Sequence, residues 1–170
     1  MKLRYSLALG LPLATSQAMA ADLSVQLELP QLKVAEYHKP YMAVWLERGD
    51  RTFVANMAVL YEVHKRNNGG KKWLDELRQW WRVSGNNLQM PIDGITGATR
   101  GPGEHTFHFS DSKVLEQLPA GQYRLKVEVA RESGGREVLT VPFEWPVKKP
   151  ESLTDKGREE LGLVTVELKP

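Results

Sequence analysis

Apolar and polar residues alternate along much of this chain. The stretch "LSVQLELP" (23–30) has period two, the mark of a strand with one buried face. "YMAVWLE" and "TFVANMAVLYE" flank Arg48-Gly49-Asp50-Arg51, a turn signal in which Gly49 is the residue expected at positive φ. "QYRLKVEVA" and "REVLTVPFEW" flank a second turn at Gly134-Gly135, and "GLVTVEL" reads as a last strand. Trp45 and Trp145 fall within these strand patterns and are expected to fill the space between two sheets. Many short strands with turns between them predict an all-β fold, an immunoglobulin-like antiparallel β-sandwich.

One segment departs from the alternation. "KKWLDELRQWWRVSG" (71–85) sets Trp73, Leu74, Leu77 and Trp81 on one helical stripe, which predicts one inserted amphipathic helix. Asn67 or Asn68 is expected to cap its start, and Gly85 suits its end. Lys71 and Lys72 stand at the end of that helix where the dipole disfavours positive charge, so tryptophan packing must hold it. Trp73 and Trp81 are expected in the core. Trp80 lies off the stripe, in the chain that leads toward the next loop. The polar run "KKPESLTDKGREE" reads as a connection to the final strand.

The N-terminus changes the picture of location. A basic start (Lys2, Arg4), an apolar run from Leu7 to Ala14 and Ala18-Met19-Ala20 form the pattern of a signal peptide over residues 1–20. Cleavage after Ala20 is expected, leaving a single β-sandwich domain over residues 21–170 in the periplasm, with no transmembrane segment of its own. Lys2 and Arg4 are two of the 23 basic residues, so the remainder is balanced against 21 acidic ones. That balance argues against nucleic acid as a partner. The chain has no cysteine, which excludes disulfides, thiolate catalysis, zinc ribbons and c-type haem attachment. His105 and His108 sit in "EHTFHFS"; on a strand, residues three apart face opposite sides, so no metal site is expected there. Glu104 beside His105 is an acid–base pair with no substrate placed near it. The hydrolase and P-loop motifs are missing too.

Candidate chemistry gathers in "DGITGATRGPG" (93–103), a run of small and hydroxyl residues. Asp93-Gly94-Ile95-Thr96-Gly97-Ala98-Thr99 resembles the D-x-x-[S/T]-G-A-T motif that periplasmic flavin transferases modify in subunits of Na⁺-pumping quinone reductases and Rnf-type complexes. Five constrained positions arise by chance on the order of a few times in ten thousand chains of this size. The resemblance implies FMN joined through its phosphate to the hydroxyl of Thr99, with Thr96 in the Ser/Thr position, Gly97 and Ala98 as the small pair and Asp93 leading. A threonine hydroxyl is a weak nucleophile, so the transferase must activate it, with FAD as donor. Arg100 is placed to pair with the resulting phosphodiester, and Trp80 is the tryptophan expected to cover the ring. Those subunits usually continue with a small hydroxyl residue, where this chain has Arg100.

A second resemblance covers nearly the whole exported part. "KPYMAVWLE", "KKWLDELRQWWR", "ITGATRGPGEH", "PAGQYRLKVEVARESGG" and "VPFEW" resemble the periplasmic family of domain of unknown function 2271. That resemblance implies work beside a flavin transferase and a PepSY-type membrane reductase, and hence a periplasmic electron-transfer flavoprotein. The competing expectation is a cofactor-free immunoglobulin-like module that binds a partner or ligand through its loops.

Overall fold

A computed structural model describes residues 22–110 and 112–170. The expected signal peptide and its cleavage point lie outside the described residues. Two sheets pack face to face. The first has the order β5-β1-β9-β8 and the second β4-β3-β2-β6-β7, with β1 at Asp22–Leu29, β2 at Tyr41–Arg48, β3 at Phe53–Tyr61, β4 at Thr96–Ala98, β5 at Gly103–His108, β6 at Gly121–Ala130, β7 at Arg136–Trp145, β8 at Glu151–Lys156 and β9 at Leu163–Lys169. The expected sandwich is present, with one exception to its antiparallel rule: β4 lies parallel to β3.

The period-two strands form where the sequence places them. Leu23, Val25, Leu27 and Leu29 of β1 point into the sandwich and meet Leu125, Val127, Val141 and Phe143 from the opposite sheet. Trp145 joins this core as expected. β2 is buried on both faces, from Tyr41 to Glu47. Met42, Val44 and Leu46 enter the sandwich, while Tyr41, Ala43 and Trp45 form a second core on the outer face of the sheet. Trp45 therefore fills that second core and not the space between the sheets.

What covers the outer face is the helical insert, and it differs from the expected single helix. A 3-10 stretch, Arg66–Glu76, leads into a short helix α1, Arg78–Val83. Asn67 and Asn68 take φ near 54° and 55° inside the 3-10 stretch, so they kink it and do not cap it. The buried apolar residues are Leu74, Leu77 and Trp80, and the chain leaves helical geometry at Leu77 (ψ 68°), between the 3-10 stretch and α1. Trp73 and Trp81 are only partly buried against the same cluster. Gly85 is required by packing: a Cβ there would stand 2.6 Å from the Trp80 ring.

Three further details correct the sequence reading. Positive φ falls on Arg51 (75°) and Ser133 (53°), and not on Gly49 or the glycine pair. The polar run after Pro150 contains β8, paired with β9 from Glu151↔Leu168 to Lys156↔Leu163. A short helix α2, Lys113–Glu116, follows β5, with the Ser112 side chain accepting from the Val114 N–H.

Candidate functional site

The segment that gathers the candidate chemistry is partly a strand. Val59, Leu60 and Tyr61 of β3 pair with Thr96, Gly97 and Ala98. The turn before β4 is closed reciprocally: Ile92 N–H donates to Thr96 Oγ1 at 2.8 Å, and Thr96 N–H donates to the Ile92 carbonyl at 3.1 Å. Asp93 and Gly94 form the exposed tip, with Gly94 at φ 82°. A Cβ at Gly97 would approach the Leu60 side chain to 2.6 Å, so the close pairing of β4 favours glycine there.

Thr99 stands just past the end of β4. Its N–H donates to the Tyr61 carbonyl at 3.3 Å, and its hydroxyl donates to Glu62 Oε1 at 3.0 Å. Thr99 is half-buried between exposed Ala98 and Arg100. Gly97 faces Leu60, a member of the sandwich core, and strand alternation turns Thr99 to the same side. Glu62 is the residue that the sequence reading missed. It lies 37 positions from Thr99, and no local pattern joins them. Nearby, burial pushes the Tyr41 phenol up to about 12.

Four residues, 99–102, carry the chain from the edge of one sheet to the edge of the other, where β5 begins. β4 and β5 therefore border the same open flank of the sandwich. His105 turns inward and its Nε2 lies 2.7 Å from the Gly101 carbonyl, while His108 is exposed. At the far end of this flank lies a groove of about 600 Å³, lined by Asp93, Ile95, Met57, Phe109, His108 and Lys113 among others. The flank thus joins a hydroxyl on an edge strand to a groove with apolar and polar walls.

Trp80 is not part of that flank. It is fully buried, and its Nε1 donates to Asn56 Oδ1 at 2.7 Å, while the Asn56 amide donates to Ser84 Oγ at 2.8 Å. No face of the indole is open to cover a ring. The expectation placed Trp80 off the helical stripe because it assumed one continuous helix. The break at Leu77 resets the phase of α1 and brings Trp80 into the core.

Two packed sheets and a helical insert over one outer face together define a small β-sandwich protein. The chain belongs to the family described as predicted periplasmic protein (DUF2271), whose model matches residues 22–163. The protein is accordingly periplasmic, and among the described residues no helix is long and apolar enough to cross a membrane. Comparison with curated proteins and with solved structures returned no match.

Proposed function

We propose that Thr99 is the acceptor of a covalently attached FMN and that the protein carries electrons in the periplasm, with a flavin transferase as its modifying enzyme and a PepSY-type membrane reductase as its redox partner. The observation that carries this reading is the position of the Thr99 hydroxyl, at the end of a three-residue edge strand and flanked by exposed small and basic residues. Edge strands can leave their sheet locally without disturbing a core. Gly94 on one side and Gly101 to Gly103 on the other leave room for that movement.

The residues present fit such a group. In the transfer the Thr99 oxygen forms an ester bond to phosphorus as the pyrophosphate bond of FAD breaks; AMP leaves, and the hydroxyl proton passes to a base supplied by the transferase. Glu62 holds this hydroxyl before transfer, and Arg100 is exposed next to the new negative charge. Met57, Ile95 and Phe109 offer apolar surface at the groove, with Ser112 and Lys113 beside them. The flavin, when bound, supplies the redox chemistry, and the chain presents and tunes it.

A specific observation favours the second reading, a cofactor-free interaction module. Thr96 closes a turn, Gly97 admits Leu60 and Thr99 ties β4 to Glu62, so these three motif residues also have a structural task. Coexpression with a flavin transferase separates the two. A denaturing gel imaged for flavin fluorescence should show a band for wild type and none for Thr99→Ala, with an intact mass higher by FMN less one water. A dark wild-type band in the presence of active transferase leaves the interaction module as the reading.

A further inference from the structure

A second groove lies away from the Thr99 flank, on the outer face of the five-stranded sheet where α1 meets the β2–β3 hairpin. It encloses about 470 Å³ and is lined by Arg51, Arg82, Arg124 and Lys126, with Glu47 as its one acidic residue. The four cations come from three elements: Arg51 from the hairpin turn, Arg82 from α1, and Arg124 and Lys126 from β6. Among the described residues none of the three arginines forms an ion pair. Glu47 is buried, and its carboxylate accepts from Trp45 Nε1 at 2.9 Å.

The groove is also held in shape. Lys126 Nζ donates to Thr140 Oγ1 at 2.8 Å and sits 5.9 Å from the centre of the Trp45 ring. Burial pushes the Lys126 ammonium below its usual value; Glu47 opposes this, and the positive charges of Arg124 and Arg51 add to it. Arg51 takes φ 75° although Gly49 and Asp50 are available in the same turn. A non-glycine residue in that region is strained, and such strain is often kept where the side chain has a task. Gathering like charges without partners opposes folding unless a negative ligand or solvent offsets them.

We propose that this groove binds a small polyanion through Arg51, Arg82, Arg124 and Lys126, a ligand carrying at least two neighbouring phosphate or carboxylate groups. Guanidinium forks match both groups in geometry, and Gln79 and Thr140 add neutral polar atoms at the wall. The proposal does not depend on flavin at Thr99.

The test is calorimetric titration of the exported chain with inorganic pyrophosphate and, separately, with citrate, at about physiological ionic strength. Saturable one-site binding of either anion is expected; pyrophosphate alone points to a phosphate ligand, and citrate alone to a polycarboxylate. Arg124→Ala and Arg82→Gln should each weaken binding about tenfold, which corresponds to the loss of one charge-assisted hydrogen bond. Arg51→Gly should weaken binding without lowering the thermal midpoint, because glycine relieves the strained turn. Arg158→Ala, an exposed charge outside the groove, should bind as wild type. The proposal is overturned if neither anion saturates, if the groove variants keep their midpoint and bind as wild type, or if Arg158→Ala weakens binding as much as they do.

Discussion

On one face of β2, Met42, Val44 and Leu46 meet the opposite sheet; on the other, Tyr41, Ala43 and Trp45 meet the helical insert. The first core is largely aliphatic and is filled by strands whose alternation dictates what they bury. The second is built differently. Its covering segment is a kinked 3-10 stretch and a six-residue helix, neither of which is stable alone. Directed polar bonds fasten it: Glu128, fully buried on β6, accepts from the N–H groups of Gln79 and Trp80 at 3.1 and 2.8 Å, and Asn56 links Trp80 to Ser84. A regular strand finds its backbone partners in the neighbouring strands. A weak helix needs fixed acceptors for its free N–H groups as well.

The strongest way to break this contrast is to remove the indole at the centre of the second core. Trp80→Ala should cost about 3–5 kcal/mol, as large aromatic deletions do, and it also leaves Asn56 without its donor. Trp81→Ala, on the partly exposed neighbour, should cost clearly less. Urea denaturation of both variants reads this order. Equal losses would mean that the insert packs as a regular helix with both tryptophans inside.

Next in size is a polar tie on the sandwich side. Arg131 donates from Nε and Nη2 to the two oxygens of Glu160, both at 2.8 Å, with both residues buried. Arg131→Met leaves a buried carboxylate without a partner and should cost about 3–5 kcal/mol at neutral pH, while the double variant Arg131→Met/Glu160→Leu should recover most of it. Thermal midpoints of the single and double variants measure the recovery.

Two carboxylates sharpen the comparison through pH. Burial raises Glu128 above its ordinary value of 4.5, and the bonds from Trp80 and Gln79 only partly offset this. Its contribution to stability is therefore complete below about 4.5 and is lost as pH rises through its folded value. Glu137 on β7 is the opposite case. Burial raises it, but four N–H groups, from Arg158, Glu159, Glu160 and Leu161, together hold it below 4.5. Its contribution is present above 4.5 and is lost as pH falls through the folded value. Urea midpoints against pH should show that Glu128→Gln removes part of the decline toward neutrality, whereas Glu137→Gln removes part of the decline in acid. The same pH response in both variants would contradict the contrast.

The same contrast explains what could be read in the sequence. β1, β6, β7 and β9 were legible because one side chain in two is apolar and buried, and β2 and β3 because nearly unbroken apolar runs flank a turn signal. β8 was not, since Leu153 is its only apolar residue, and its place comes from backbone pairing with β9. The insert was legible as helical but not in its phase. One continuous helix would carry the stripe of Leu74 and Leu77 on to Trp81, whereas the break at Leu77 turns Trp80 inward instead. The motif at 93–99 was visible as a motif, yet its pairing to β3 and the Thr99–Glu62 bond depend on contacts across the chain that no local spacing records.

The smallest effects on stability bear most on function, and they separate two threonines three residues apart. Thr96→Ala strands the partly buried Ile92 N–H and opens the turn before β4, a loss of about 1–2 kcal/mol. Thr99→Ala removes a donor from Glu62, which is half-buried and can turn to water, so about 1 kcal/mol or less is expected. Covalent flavin should follow the reverse order: Thr99→Ala loses all of it because the bond-forming oxygen is gone, Thr96→Ala loses only part, and Thr99→Ser retains some. Measuring both quantities on the same preparations decides between the readings of the segment. If Thr99→Ala destabilises more than Thr96→Ala, and transferase leaves even wild type without flavin, Thr99 is a structural latch between β4 and Glu62. If the two orders cross, the edge strand is a segment stable enough to fold and loose enough at Thr99 to be modified.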